Sequence, residues 1–186
     1  MKNLQKWILL VLLTLNLSVV SVGYAEKSSW TTTPTTKQLT NKQRGEELAQ
    51  EFMSHISNRN FTEADKFVNF KAYAQRVATH VFDEKDQQDE FVRGFASEIK
   101  TQSFTQQVFA SATTESVNTK YLGFNNQETP IIRLDFESGG HEYIKLIMDT
   151  NTEGNALIHD FVFASTGEYS SVGTANAVKY LSLIHI

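Results

Sequence analysis

Ile131-Ile132-Arg133-Leu134-Asp135-Phe136-Glu137-Ser138-Gly139-Gly140-His141-Glu142-Tyr143-Ile144-Lys145-Leu146-Ile147-Met148 is the stretch that decides the fold. Apolar and polar side chains alternate on both sides of a Ser-Gly-Gly turn signal, which is the period of a half-buried strand rather than of a helix. The reading is a hairpin with Ile132, Leu134 and Phe136 on one arm and Ile144, Leu146 and Met148 on the other.

The same period extends outward in both directions. Val117, Thr119 and Tyr121 mark a strand before the hairpin, and Leu157, His159, Phe161 and Phe163 mark one after it. Turn signals at Asn125-Asn126 and Asn151-Thr152-Glu153-Gly154-Asn155 join them. If the Gly139 turn pairs Glu137 with His141 and the Gly154 turn pairs Asp149 with Ala156, one face carries Ile132, Leu134, Phe136, Ile144, Leu146, Met148, Leu157, Phe161 and Phe163. Each such side chain contributes about 1.5 to 3 kcal/mol when buried, so this face must pack on something. The opposite face carries Arg133, Asp135, His141, Tyr143, Lys145 and Asp160, with Lys145 placed opposite Asp160.

The partner of the apolar face lies upstream, where the period is helical. Leu48, Phe52 and Ile56 fall at i, i+4, i+8 with Ala49 and Met53 beside them, and the stripe ends in the polar stretch Ser57 to Asn60. Thr62-Glu63-Ala64-Asp65 resembles a capping box with Asp at its fourth place, and Phe70, Tyr73, Val77 and Val81 continue at helical spacing. Asp83, Glu84, Asp86, Asp89 and Glu90 suit the positive end of a third helix, whose buried stripe is Phe91, Phe95 and Ile99. A calcium loop needs ligands at alternate positions and a central glycine, and this acidic segment has neither. Helices followed by an antiparallel meander define an α+β domain of three or so helices on one face of four strands.

The ends of the chain read differently. Lys2 and Lys6 precede the apolar run Trp7 to Leu17, and Gly23-Tyr24-Ala25 offers small residues for a signal peptidase, so residues 1–25 are expected to be a cleaved leader and the mature chain to begin at Glu26. The expected location is periplasmic or extracellular, with no stable membrane anchor after cleavage. Residues 26–40, rich in threonine, read as a disordered linker, with docking of Trp30 on the domain as the alternative. The folded domain spans 41–172, and residues 173–180 read as the start of a truncated helix. Leu181-Ser182-Leu183-Ile184-His185-Ile186 matches the translation of a transposase library-adapter string, so residues 181–186 are expected to be an artefact; the alternative is a genuine apolar strand.

Of 186 residues, 17 are Lys or Arg and 21 are Asp or Glu, for a formal charge of -4. Without the leader's two lysines the balance is 15 minus 21, or -6. No basic run is present, so nucleic acid and anionic membrane are poor partners. With Cys 0 there are no disulfides, no thiol catalysis and no lipid-anchored cysteine.

The segment Asn58-Arg59-Asn60-Phe61-Thr62-Glu63-Ala64 after the first helix, followed by a strand meander, resembles the NTF2-like (cystatin-like, cone-shaped α+β) superfamily. His159-Asp160-Phe161-Val162-Phe163-Ala164-Ser165-Thr166-Gly167-Glu168 looks like the closing strand of exported bacterial domains of that kind that precede tetratricopeptide helices. The resemblance covers about residues 41 to 170 and carries no catalytic signature. It implies a binding or scaffolding module, the N-terminal part of a longer protein; the alternative is a small isomerase- or hydrolase-type enzyme.

The register places His159 on the apolar face between Leu157 and Phe161, where it is either a weak candidate base in a helix–sheet cleft or a core histidine satisfied by backbone or by a neighbour such as Tyr73 or His80. Tyr73, His80 and Phe161 are the candidate pocket-lining residues. Asp160 should point to the other face, so His159-Asp160 is not a dyad. Arg133, Tyr143, Lys145 and Asp160 form a candidate docking face, or else a solvated charge ladder that fixes register. His55 and His80 have no partner at metal spacing, and no zinc site, cofactor or serine-nucleophile motif is expected. The expected partner is a protein or a small apolar ligand of unknown identity.

Overall fold

The computed structural model describes residues 41–99, 102–125, 129–150 and 156–184. The expected leader, the linker with Trp30, the turn at 151–155, Asn126 and the terminal His185-Ile186 lie outside the described residues.

The architecture is α+β: among the described residues six helices come first, then a four-stranded antiparallel meander in the order β1-β2-β3-β4, then a further helix. Helix α1 (Asn41–Ser57) buries Leu48, Ala49, Phe52, Met53 and Ile56, the predicted stripe, against the sheet. Gly45 allows that approach, since a Cβ there would stand 2.8 Å from Met148 Cε. The helix ends where Asn60 N–H donates to the His55 carbonyl at 2.8 Å, with Arg59 left-handed at φ 56.

The expected capping box does not form. Asn60 makes no side-chain cap bond to α2 (Phe61–Ala64), which tightens into a 3-10 turn at Asp65–Phe67. Asp65 turns away and accepts from Phe104 N at 3.2 Å and Thr105 N at 2.8 Å, at the start of α5 (Phe104–Val108). Helix α3 (Phe70–Val81) is capped by Asn69, which accepts from Ala72 N, and buries Tyr73, Ala74, Val77 and Ala78. Helix α4 (Lys85–Ile99) begins within the acidic segment and buries Phe91, Val92 and Phe95. Short helices α5 and α6 (Ala110–Thr114) carry Phe104, Phe109 and Ala112 into the core.

Strands β1 (Val117–Phe124), β2 (Pro130–Phe136), β3 (His141–Thr150) and β4 (Ala156–Phe163) stand where the period of two placed them. Their registers differ from expectation in an instructive way. The first turn pairs Asp135, not Glu137, with His141, a slip of two residues that leaves every side chain on its expected face. The second turn pairs Thr150 with Ala156, a slip of one, and a β-bulge between Ile147 and Met148 adds another. Beyond the bulge the slip is again even, so Phe161 and Phe163 keep the core face. Before it the slip is odd, and Ile158, fully buried, takes the core place expected of Leu157.

Helix α7 (Ser170–Ile184) packs on α3 and on β4. It starts three residues before the expected position 173, so the Ser170-Ser171 pair belongs to its first turn. The edge of β4 is covered by bridges from Val68 to Ile158 and from Tyr169 to Val162. At the centre sits an aromatic cluster in which Phe161 meets Phe109 at 5.4 Å and Phe52 at 6.0 Å between ring centroids.

Candidate functional site

Alternation along the strands brings Lys120, Arg133, Asp135, Tyr143 and Lys145 to the sheet face opposite the core. Asp135 receives Lys120 Nζ at 2.9 Å and Arg133 Nη2 at 2.5 Å, and these hydrogen bonds, Lys120's first, hold its carboxyl below the usual range. Arg133 pairs across the strands with Tyr143 and places its guanidinium carbon 5.9 Å from the ring centroid. His141 meets the same ring edge-on at 5.0 Å. Tyr143 remains 37% exposed and Leu122, beside a β1 bulge, 50%. Lys145 faces Val162 and makes no ion pair among the described residues. The expected Lys145–Asp160 pairing is therefore corrected: the turn slip and the bulge together move Asp160 opposite Ile147.

Asp160 does not belong to the solvated face at all; it is fully buried. Its Oδ1 accepts from Phe161 N at 2.9 Å and Ser171 N at 3.1 Å, and its Oδ2 from Ser171 Oγ at 2.5 Å and Arg76 Nε at 3.0 Å. A carboxylate on the strand thus caps the N-terminus of α7, where its charge also suits the helix dipole. Next to it the Tyr73 hydroxyl meets Ser170 Oγ at 3.0 Å and Thr174 Oγ1 at 2.8 Å. Burial pushes the Tyr73 phenol up to about 12, so it stays protonated at physiological pH.

The residues grouped as pocket lining are not brought together. Tyr73 and Phe161 are filled-core residues, 1% and 0% exposed, whereas His80 stands exposed near the end of α3. His159, displaced from the core face by the bulge, is half-buried, and burial first, then the Arg76 charge, depresses its pKa. Its neighbour Asp160 is occupied by four donors, which leaves His159 without that carboxylate as an orienting group.

Arg76, Tyr169 and Ser171 are the members of this junction that the sequence did not single out. The partners of Asp160 lie 84 positions upstream and 11 downstream, so no local pattern joins them. The one available signal was Ser170-Ser171 ahead of Thr174, residue types that favour a helix start.

Among the described residues no group of three or more His, Cys, Asp or Glu is placed to hold a metal ion, and no helix is long and apolar enough to cross a membrane. Against family models, curated proteins and solved structures, the chain matches none.

Proposed function

We propose that the chain is an exported, non-enzymatic binding or scaffolding module with an NTF2-like fold, acting through the outer face of its sheet. The observation that carries this reading is Tyr143, a ring held between Arg133 and His141 on a pleated face and yet 37% exposed. An aromatic ring fixed in place between an arginine and a histidine is the kind of anchor that protein interfaces use, because little side-chain entropy remains to be lost on binding. Export rests on the leader-like residues 1–25 and on the cysteine-free composition. The NTF2-like assignment rests on helices packed on one face of a four-stranded antiparallel sheet and on the Asn58–Ala64 segment. The partner is expected to be another protein, and the enzymatic alternative centred on His159 finds no orienting group to support it.

Two readouts of one experiment test the proposal. The full chain, expressed in a Gram-negative host with a photo-crosslinking residue at position 143, should be recovered from the periplasm with Glu26 at its N-terminus and should give a defined higher-mass adduct. The same residue at Lys66, a helix-side position with a 66% exposed side chain, should give none. An unprocessed cytoplasmic product would reject export, and identical adduct patterns at both positions would reject the docking face.

A further inference from the structure

We propose that the outer end of the Arg76 guanidinium is a binding site for an oxyanion, a carboxylate or phosphate group, at the junction of α3, β4 and α7. The site is separate from the sheet face that bears Tyr143 and does not depend on that reading.

A guanidinium offers five N–H donors in a planar fork, and a carboxylate that merely neutralises it ordinarily takes two of them side by side. Here Asp160 takes one, the Nε–H at 3.0 Å. Its remaining acceptor capacity is turned to Phe161 N, Ser171 N and Ser171 Oγ. The negative charge of Asp160 is thereby shared among four donors, one of them at the start of a helix, so it compensates Arg76 only in part. The four N–H bonds of the terminal amino groups have no protein acceptor among the described residues, and the side chain is 39% exposed.

The guanidinium is also held. Its carbon lies 5.2 Å from the Tyr169 ring centroid, and the Tyr169 backbone is anchored by its bridge to Val162. One side is tied to a fully buried carboxylate and one plane rests on an aromatic ring, so an incoming oxyanion meets a fork that is already oriented. His80 follows Arg76 by one helical turn on the same face of α3, and half-buried His159 lies within its electrostatic reach. A latch that serves stability alone requires only the Nε contact; it does not require the free end to be braced and open.

The test is a titration of isotope-labelled protein, following the Arg76 side-chain resonances, with inorganic phosphate and, separately, acetate at constant ionic strength set by chloride. Saturable shifts centred on Arg76 are expected with at least one of the two, and the stronger arm identifies phosphate or carboxylate as the preferred group. Arg76→Lys keeps a positive charge for Asp160 but loses the fork, and should weaken binding about tenfold or more. Tyr169→Leu, which leaves the Asp160 contacts in place, should weaken it by a smaller factor and serves as the deciding variant if Arg76→Lys fails to fold. Non-saturable shifts with both anions, or unchanged affinity in the variant that folds, would overturn the proposal.

Discussion

A carboxylate with no exposure to water, such as Asp160, must be met by donors, because the effective cost of burying an unpaired ion is several kcal/mol. The four donors found here satisfy it, and removing the acceptor strands them. Asp160→Ala leaves Phe161 N, Ser171 N and Ser171 Oγ without partners and should lower unfolding stability by about 3 to 5 kcal/mol, read as a fall in the urea midpoint. Asp160→Asn, which keeps one acceptor oxygen, should cost less; a loss within about 0.5 kcal/mol for the alanine variant would mean the cluster is not sealed from water. His159 makes a prediction of opposite character. Its pKa is depressed below 6.5 by burial, so the unfolded chain binds a proton more readily than the folded one. That contribution to stability is present above pH 6.5 and is lost as pH falls through the lower folded value. His159→Gln should remove this part of the acid-side slope, and an unchanged slope in paired melts at neutral and mildly acidic pH would refute the assignment.

At the scale of single elements, the helices differ in what holds their ends, and that difference decides how much of each was legible. Helices α1, α3 and α4 announce themselves through apolar stripes, since their burial repeats at the helical period within one segment. Two that do not are α5, whose first N–H groups are met by Asp65 from about 40 positions away, and α7, capped by Asp160. The partners of these two carboxylates are remote in sequence, and the local signals that remain, Ser103 before α5 and Ser170-Ser171 at the start of α7, do not reveal Asp65 or Asp160 as caps. Over residues 170–180, helix α7 buries chiefly Ala175 and part of Val178, so the docking of its first turns leans on polar contacts. Tyr73→Phe deletes the hydroxyl shared by Ser170 and Thr174 and should destabilise the attachment by about 1 kcal/mol. Hydrogen exchange gives the specific readout: amides of α7 should lose protection while those of β2 and β3 keep it. Uniform loss over the sheet would show that the hydroxyl supports the whole core rather than the helix.

For the molecule as a whole, the sequence pattern was sufficient for the layers and insufficient for the registers. The α+β division, the four strands and the burial of Ile132, Leu134, Ile144, Leu146 and Phe161 all follow from side-chain period. A bulge adds one residue and reverses the faces on one side of it only, and nothing in the alternation of β4 marks where that residue enters. This is why Phe161 was placed correctly while His159 was not; Asp160 lies on the even side of the bulge, and it is buried because Arg76 and Ser171 close over it. Phe161 is the point where the layers meet: its ring lies against Phe52 of α1, Phe104 of α5 and Phe109, and its strand neighbour Asp160 fastens α7. Helices and sheet should therefore unfold together. Phe161→Ala should lower stability by about 3 to 5 kcal/mol, a large part of the 5 to 15 typical of a domain, through lost burial and a cavity that surrounding rings fill only in part. Chemical denaturation followed by far-ultraviolet circular dichroism and by tyrosine fluorescence should shift to a lower midpoint with both probes coincident. If the tyrosine signal moved alone, the region around Tyr73 would be uncoupled from the sheet, and the view of α7, α3 and the meander as one cooperative unit would fail.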